Sequence, residues 1–437
     1  MKKGAGDLIL KGTGSFVLGN QDNAHTGSAP KDAQGIAALS NGIQANGDGP
    51  TTALKTLMVS EGRLVVGTVG DDTDAPNVTL PNGFTIGHRS AVTEGALETA
   101  GEIVMNNGSF YGAALYFPFY CGVPATTPPG GLEAKLTING GTMSVASVNM
   151  GHDGTYNQTT AATLTMNGGA FNCRGTYYVG YQSVNLDADP LHKIVVNGGT
   201  FTVKDLVVGN LANSAAGEIH VNNGGTLVVS NGFTLGKAAT ARPQKFYLNA
   251  GGTLKSLGAI AHTTGESYIY FRGGLWQPGL GRKRGTGYTL GSSTATSRHT
   301  GVYLGAGGVT IDLGTYWAKA GKDSAAFEIR QQILHDPDCA GDDGGLTLRG
   351  PITTILRNQM NGSTFTGPVT AEDGQKIGVE NGTANAERPR YPGPLFIRTL
   401  CPDTSSKATL WMKTQNEGSL TPPCIVWKNL QDRKSVV

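Results

Sequence analysis

One short phrase recurs through the middle of this chain. It runs apolar, any residue, apolar, then Asn-Gly-Gly, a small residue and a further apolar one. It stands as IVMNNGSF (103–110), LTINGGTM (136–143), LTMNGGAF (164–171), IVVNGGTF (194–201), IHVNNGGTL (219–227) and FYLNAGGTL (246–254), with a degenerate copy, IYFRGGLW, at 269–276. The last turn glycines, 108, 141, 169, 199, 225, 252 and 274, lie 33, 28, 30, 26, 27 and 22 residues apart. Such a period marks a repeat architecture, in which each copy buries its apolar face only against its neighbours.

Within a copy the apolar residues alternate, as Leu164 and Met166 do before Phe171. That is the period of a strand, and Val, Ile, Thr, Phe and Tyr suit its pleated surface. Asn-Gly-Gly supplies a sharp turn, because glycine adopts positive φ at little steric cost. A second glycine follows at a nearly constant offset (141 to 151, 169 to 180, 199 to 209, 225 to 236), and only the segment after it varies. A constant part and a variable part in every period imply one regular wall and one wall of tolerant loops. No helical segment separates the strands, which excludes βαβ units. A propeller blade needs about 40–50 residues and four strands, more than these periods hold. The expectation is an all-β chain folded as a right-handed, single-stranded parallel β-helix, a β-solenoid whose coils stack about 4.8 Å apart.

Composition narrows the classes of function. Glycine accounts for 66 of 437 residues without an every-third register, which excludes collagen. A net charge of +2 argues against a nucleic-acid surface, and the one basic knot, GRKRG at 281–285, suits a solvated turn. No stretch of eighteen apolar residues is present to span a membrane as a helix. The five cysteines, 121, 173, 339, 401 and 424, have no metal-ligand spacing; Cys401 and Cys424 lie close enough in sequence for pairing to stay open.

The flanks carry a different phrase. KKGAGDLILKGTGSFVLGN (2–20) resumes after a polar insert as LKTLMVSEGRLVVGT (54–68), and GVYLGAGGVTIDLGT (301–315) precedes DDGGLTLRG (342–350) and NGSTFTGPVTAEDGQKIGV (361–379). Here the chain resembles bacterial autotransporter passengers, in particular the autotransporter-associated β-strand repeat, and the pectin-lyase-like β-helix. Lys3 to Gly12 match the first half of that repeat and Glu61 to Gly67 the second. The resemblance implies an extracellular or cell-surface location and contact with a host or environmental glycan or surface. A family member would also carry a signal peptide and a C-terminal membrane barrel. MKKGAGDLILKGTG has no apolar run of seven, and DRKSVV is not a barrel's last strand. The expectation is therefore a piece of a larger protein or a relative exported by another route. Four regions follow: an N-terminal β-strand repeat with a polar insert (1–100), the central Asn-Gly-Gly repeats (101–300), a C-terminal repeat region (301–384) and a non-repetitive cap or linker (385–437).

No constellation of catalytic residues emerges. A β-helix lyase or hydrolase needs carboxylates at equivalent places in adjacent coils. The residues after the closing glycines are instead His152-Asp153, Tyr181-Gln182, Asn210-Leu211 and Lys237-Ala238. His152-Asp153 could form a dyad, yet adjacent strand residues face opposite ways. LHDPDCAGDD (334–343) is the densest acidic run. Its Asp338, Asp342 and Asp343 beside Gly341 are the candidates for a metal, calcium being the ion such a loop would take, although the register fits no EF-hand. The usual reading of such a run is a solvated loop, with no cofactor. Phe110, Tyr111, Tyr116, Phe117, Phe119 and Tyr120 crowd one insertion, either facing out to stack on sugars or packed against the column. Tyr116, Tyr120 and Tyr181 are the candidate glycan contacts, and Tyr177 and Tyr178 would extend that surface. The leading reading is an exported stalk without catalysis, monomeric rather than trimeric. A secreted polysaccharide lyase or glycoside hydrolase is the alternative, and a trimeric surface fibre a third.

Overall fold

The computed structural model describes residues 102–120, 133–153, 161–181, 191–212, 214–239, 241–279, 288–292, 294–314, 326–350 and 362–372. Shorter pieces are described at 7–10, 15–17, 43–45, 57–59, 63–68, 75–80, 84–86, 353–357, 360, 375–380, 395–397 and 409–413. The chain divides into two compact units, one built mainly from residues 1–220 and the other mainly from 245–437. Both are parallel β-solenoids, as the repeat requires. Among the described residues no helix is long and apolar enough to cross a membrane.

In the first unit, Glu102–Met105, Glu133–Ile138, Ala161–Met166 and Leu191–Val196 pair in parallel along one wall. Ser109–Tyr120, Thr142–Asp153, Ala170–Val179 and Gly199–Val208 pair along the next. The register superimposes like on like. Ile103, Leu136, Leu164 and Ile194 form one buried ladder, and Phe110, Met143, Phe171 and Phe201 another. Phe171 and Phe201 stack 4.9 Å apart, which is the coil spacing itself. The long strands bend where the register slips, between Cys173 and Thr176 for example. The N-terminal strands join the same walls: Arg63–Val66 pairs with Glu102–Met105, and Asn77–Leu80 with Ser109–Gly112.

Each letter of Asn-Gly-Gly has a separate task. The asparagines form a side-chain ladder across coils: Asn139 Nδ2 donates to Asn106 Oδ1 (2.8 Å), Asn167 to Asn139 (2.9 Å) and Asn197 to Asn167 (3.0 Å). The first glycine has no room for a side chain, since a Cβ on Gly168 would lie 2.5 Å from the carbonyl oxygen of Asn139. The second glycine takes the positive φ, +67° at Gly169, that turns the chain into the next wall. Asn167→Ala removes a bond above and a bond below at an exposed corner. It is expected to cost about 1 kcal/mol, read as a lower urea midpoint with unchanged m-value; an unchanged midpoint would mean that water replaces the ladder.

The closing glycines also have positive φ: Gly151, Gly180, Gly209 and Gly236. Gly180, Gly209 and Gly236 each leave space for a buried side chain of a neighbouring coil. A Cβ on Gly209 would lie 2.9 Å from Gln244 Cγ, and one on Gly180 would lie 3.2 Å from Ser214 Cβ. Those polar residues bind corner carbonyls, Gln244 Nε2 donating to Ala215 O at 3.0 Å.

Cys173 stands in register between Val145 and Val203, buried, as a small apolar filler. Burial pushes its thiol up to about 11, so it stays protonated and unreactive.

The second unit shows three parallel walls. Ser267–Arg272, Gly301–Leu304 and Leu334–His335 form the first. Thr253–Ser256, Gly274–Pro278, Val309–Asp312, Leu346–Arg349, Val369–Glu372 and Leu395–Ile397 form the second. Tyr288–Gly291, Ala326–Arg330, Thr353–Arg357, Lys376–Glu380 and Thr409–Lys413 form the third. Leu254, Trp276, Ile311, Leu348 and Ala371 stack through the interior. Trp276 satisfies its indole N–H on Ser256 Oγ at 3.0 Å, so the largest buried side chain among the described residues leaves no orphaned donor.

Two expectations need correction. The aromatic segment after Phe110 is not an insertion: Ser109–Tyr120 is a wall strand in register with Thr142–Asp153. Phe110 and Leu115 face the core and Tyr111 faces out, half exposed, so the alternation of the repeat continues through it. Nor does Tyr177 belong to a surface. It is fully buried in register with Val148 and Leu206, against Phe171 and Phe201.

Candidate functional site

Outward positions on the first wall of the second unit carry tyrosine. Tyr247, on the strand Gln244–Asn249 that precedes Ser267–Arg272 in the same sheet, Tyr270 and Tyr303 alternate with buried Phe246, Leu248, Ile269, Phe271, Val302 and Leu304, so their rings face out of the coil. Strand register stacks them: Tyr247 on Tyr270 at 4.6 Å and 12°, Tyr270 on Tyr303 at 5.0 Å and 14°. Tyr303 lies back along its own strand over Gly301, where a Cβ would meet the ring at 2.4 Å. That tilt brings it within 6.4 Å of Tyr268, whose hydroxyl donates to Glu266. Burial, and then the neighbouring Tyr303 and Asp336, raise the pKa of Tyr270, so its hydroxyl stays protonated as a donor. In the first unit the equivalent places hold Val104, which is buried, then Thr137, Thr165 and Val195, and in the next copy His220, paired with Glu218. None of these is aromatic, so the tyrosine row is a feature of the second unit.

Arg272 closes the row. It occupies the place of asparagine in the degenerate copy RGG, one coil after Asn249, whose amide donates to Asn222 Oδ1 at 2.7 Å. Gly305 follows the neighbouring strand and Asp336 the strand after that, so the guanidinium reaches over one coil to a carboxylate two coils away. Arg272 Nε donates to Asp336 Oδ2 at 2.6 Å, and Nη2 to Asp336 Oδ1 at 3.2 Å and Asp338 Oδ2 at 2.8 Å. A Cβ on Gly305 would lie 3.0 Å from Arg272 Cγ and 3.2 Å from Asp336 Oδ2, so glycine keeps the bridge open. The guanidinium carbon is 5.3 Å and 5.1 Å from the Tyr247 and Tyr270 centroids, which places it beside the stack rather than over one ring.

The acidic run is divided between different partners. Asp338, mostly exposed, joins Arg272, and Asp342 is exposed. Asp343 is buried and accepts from the N–H groups of Gly345 (3.0 Å), Thr366 (2.6 Å) and Gly367 (2.8 Å), from Thr366 Oγ1 (3.2 Å) and from His335 Nδ1 at 3.2 Å. Its oxygens staple the next coil, and the three carboxylates do not converge. Among the described residues no three His, Cys, Asp or Glu side chains form a group able to hold a metal.

The other sequence candidates separate likewise. Tyr116 and Tyr120 lie on the strand Ser109–Tyr120, in register with Asn149 and Asp153; their side chains fall outside the described residues. Tyr181 is part-buried, edge-on to Tyr178 at 5.0 Å, with its N–H on Met150 O. His152 and Asp153 end a wall strand. The pairing of Cys401 with Cys424 and the GRKRG turn fall outside the described residues. The tyrosine row was missed because its members are 23 and 33 residues apart, and only the coil register unites them. Compared with known protein families, with curated proteins and with solved structures, the chain matches none.

Proposed function

We propose that the chain is a non-catalytic β-solenoid stalk of an exported, autotransporter-like protein, presented outside the cell, whose outer wall makes contact with glycan. The observation that carries this reading is the row Tyr247, Tyr270 and Tyr303, one ring per coil on an outward wall, with Tyr268 beside it. Part-exposed tyrosines offer apolar edges to sugar C–H groups and hydroxyls to sugar hydroxyls, the amphipathic chemistry that suits aromatic residues to wet interfaces.

The carboxylates favour a scaffold over a lyase or hydrolase. The buried ones among the described residues, Asp312, Asp336 and Asp343, are held by Gln277 and Arg349, by Arg272, and by backbone N–H groups. Burial pushes Glu328 up, but Arg357 and Arg330 outweigh it and hold the carboxyl below its usual range. A glycosidase acid needs the opposite shift.

Affinity electrophoresis of the chain through a panel of soluble polysaccharides tests the reading. At least one glycan should retard the protein. Tyr270→Ala should weaken that retardation about fivefold, the equivalent of about 1 kcal/mol for one lost ring. Release of reducing or unsaturated ends from any of those glycans would replace the scaffold with an enzyme. Identical mobility in every gel would remove the glycan contact.

A further inference from the structure

Where the third wall of the second unit turns into the first, His262, His299 and Gln331 occupy successive coils. Their side chains, with Ser267, connect those coils. His299 is buried, and its Nε2 faces the carbonyl of Ile260 at 3.0 Å, so that nitrogen carries the proton. Its Nδ1 is then a lone pair, and it receives the hydroxyl of buried Ser267 at 2.9 Å. The backbone N–H of His299 donates to Gln331 Oε1 at 3.2 Å, and Gln331 in turn covers Gly291, where a Cβ would lie 2.6 Å from Gln331 Cβ. Ser267 N donates to Thr300 Oγ1 at 3.1 Å. The neutral imidazole therefore holds two points of the coil before it, Ile260 and Ser267, while the backbone N–H of the same residue holds the coil after it through Gln331.

A second proton enters that arrangement only by turning the Ser267 hydroxyl from donor to acceptor and by adding a buried charge. Protonation at Nδ1 sets an N–H against the Ser267 hydroxyl, which must surrender its own acceptor. The charge would also arise beside His262, whose ring is 5.5 Å away, with Nε2 on Gly265 O and Nδ1 buried with no partner among the described residues. Among the described residues no carboxylate faces the pair. Glu266 is engaged by the Tyr268 hydroxyl, Arg298 turns its guanidinium to Ser292 O, and Ser267, Thr300 and Gln331 are neutral.

We propose that the His262–His299–Gln331 corner is an acid-operated latch, which joins the third wall to the first while His299 is neutral and releases the corner once it is protonated. Burial first, and then His262, lower the pKa of His299 to about 4. An opened corner would titrate near 6.5. Acid then favours opening by about 30-fold at pH 5 relative to pH 7.5.

Hydrogen exchange of the full chain at pH 7.5 and pH 5.0, corrected for intrinsic rates, reads this directly. The amides of Ser267 and His299 should lose protection about 30-fold, while those of the Trp276 and Leu348 strands keep theirs. Equal protection at both pH values at the corner would overturn the latch, as would a uniform loss over the whole unit. His299→Gln keeps a donor for Ile260 O and an acceptor for Ser267 but cannot titrate. It should retain neutral-pH protection and abolish the pH effect; persistence of the effect would overturn the proposal. Should that variant not fold, exchange of the imidazole C2 proton in the unaltered chain gives the titration of His299. A midpoint near 4 supports the latch, and one at 6.5 excludes it.

Discussion

Arg272→Ala should destabilise the second unit by about 3–5 kcal/mol, measured by urea unfolding followed through the fluorescence of buried Trp276. The size follows from which partner is left behind. Asp336 is only 1% exposed, and its carboxylate is held there by the fork of one guanidinium and by the N–H of Asp338 at 3.1 Å. Truncating the arginine strands a buried charge, which costs far more than the pair itself contributes. The arginine also neutralises Asp338 and lies along the tyrosine stack, so some packing is lost as well.

Two companions separate these terms. Arg272→Lys supplies charge without the planar fork and should recover less than half of the loss. Arg272→Met combined with Asp336→Leu removes both charges and should be far closer to the original stability than Arg272→Ala alone. A change below about 1 kcal/mol for Arg272→Ala would mean that water reaches Asp336, and the bridge would then be a surface pair of little weight.

Asn-Gly-Gly and the closing glycines announced the coil because glycine is chosen by the backbone, and a backbone constraint is visible in one copy. Gly169 and Gly180 were legible for that reason, and both take positive φ. The task of Asn167 was not, since the same letter serves a turn and a ladder, and only the stacking of Asn139 and Asn197 on either side distinguishes them. Ser109–Tyr120 looked like an insertion because its rings are crowded, whereas the inward places of Phe110 and Leu115 keep the period of the wall.

Sites proved harder to read than walls, because a site on a solenoid is assembled across coils. Arg272 and Asp336 are 64 residues apart, and the distance varies with every loop between them. Within the acidic run, proximity in sequence was misleading. Asp338 and Asp343 are five residues apart yet serve different coils, one reaching back to Arg272 and the other forward to Thr366 and Gly367. The buried polar corner left no local trace either. His192 follows a variable loop and resembles a loop residue, until register places it in line with Ala162.

That histidine makes the first unit acid-sensitive in a way that differs from the latch. His192 is fully buried, and neither ring nitrogen has a hydrogen-bond partner among the described residues. Burial alone, with no charged neighbour contributing, lowers its pKa to about 4. In the unfolded chain the same imidazole titrates near 6.5. Between those two values the unfolded state binds a proton that the folded state refuses, so stability rises with pH across that window. It is fully present above about pH 6.5, falls as pH drops toward 4 and then levels off, a total of about 3 kcal/mol from this one group. His192→Leu should flatten that part of the curve in urea titrations from pH 7.5 to 4, followed by exchange in the Leu191–Val196 strand. The substitution should also raise stability at neutral pH, because it replaces two unsatisfied buried nitrogens with carbon in a column otherwise lined by Ala134 and Ala162. An unchanged acid slope in His192→Leu would show that the ring is hydrated, and the dry interior of this corner would have to be abandoned.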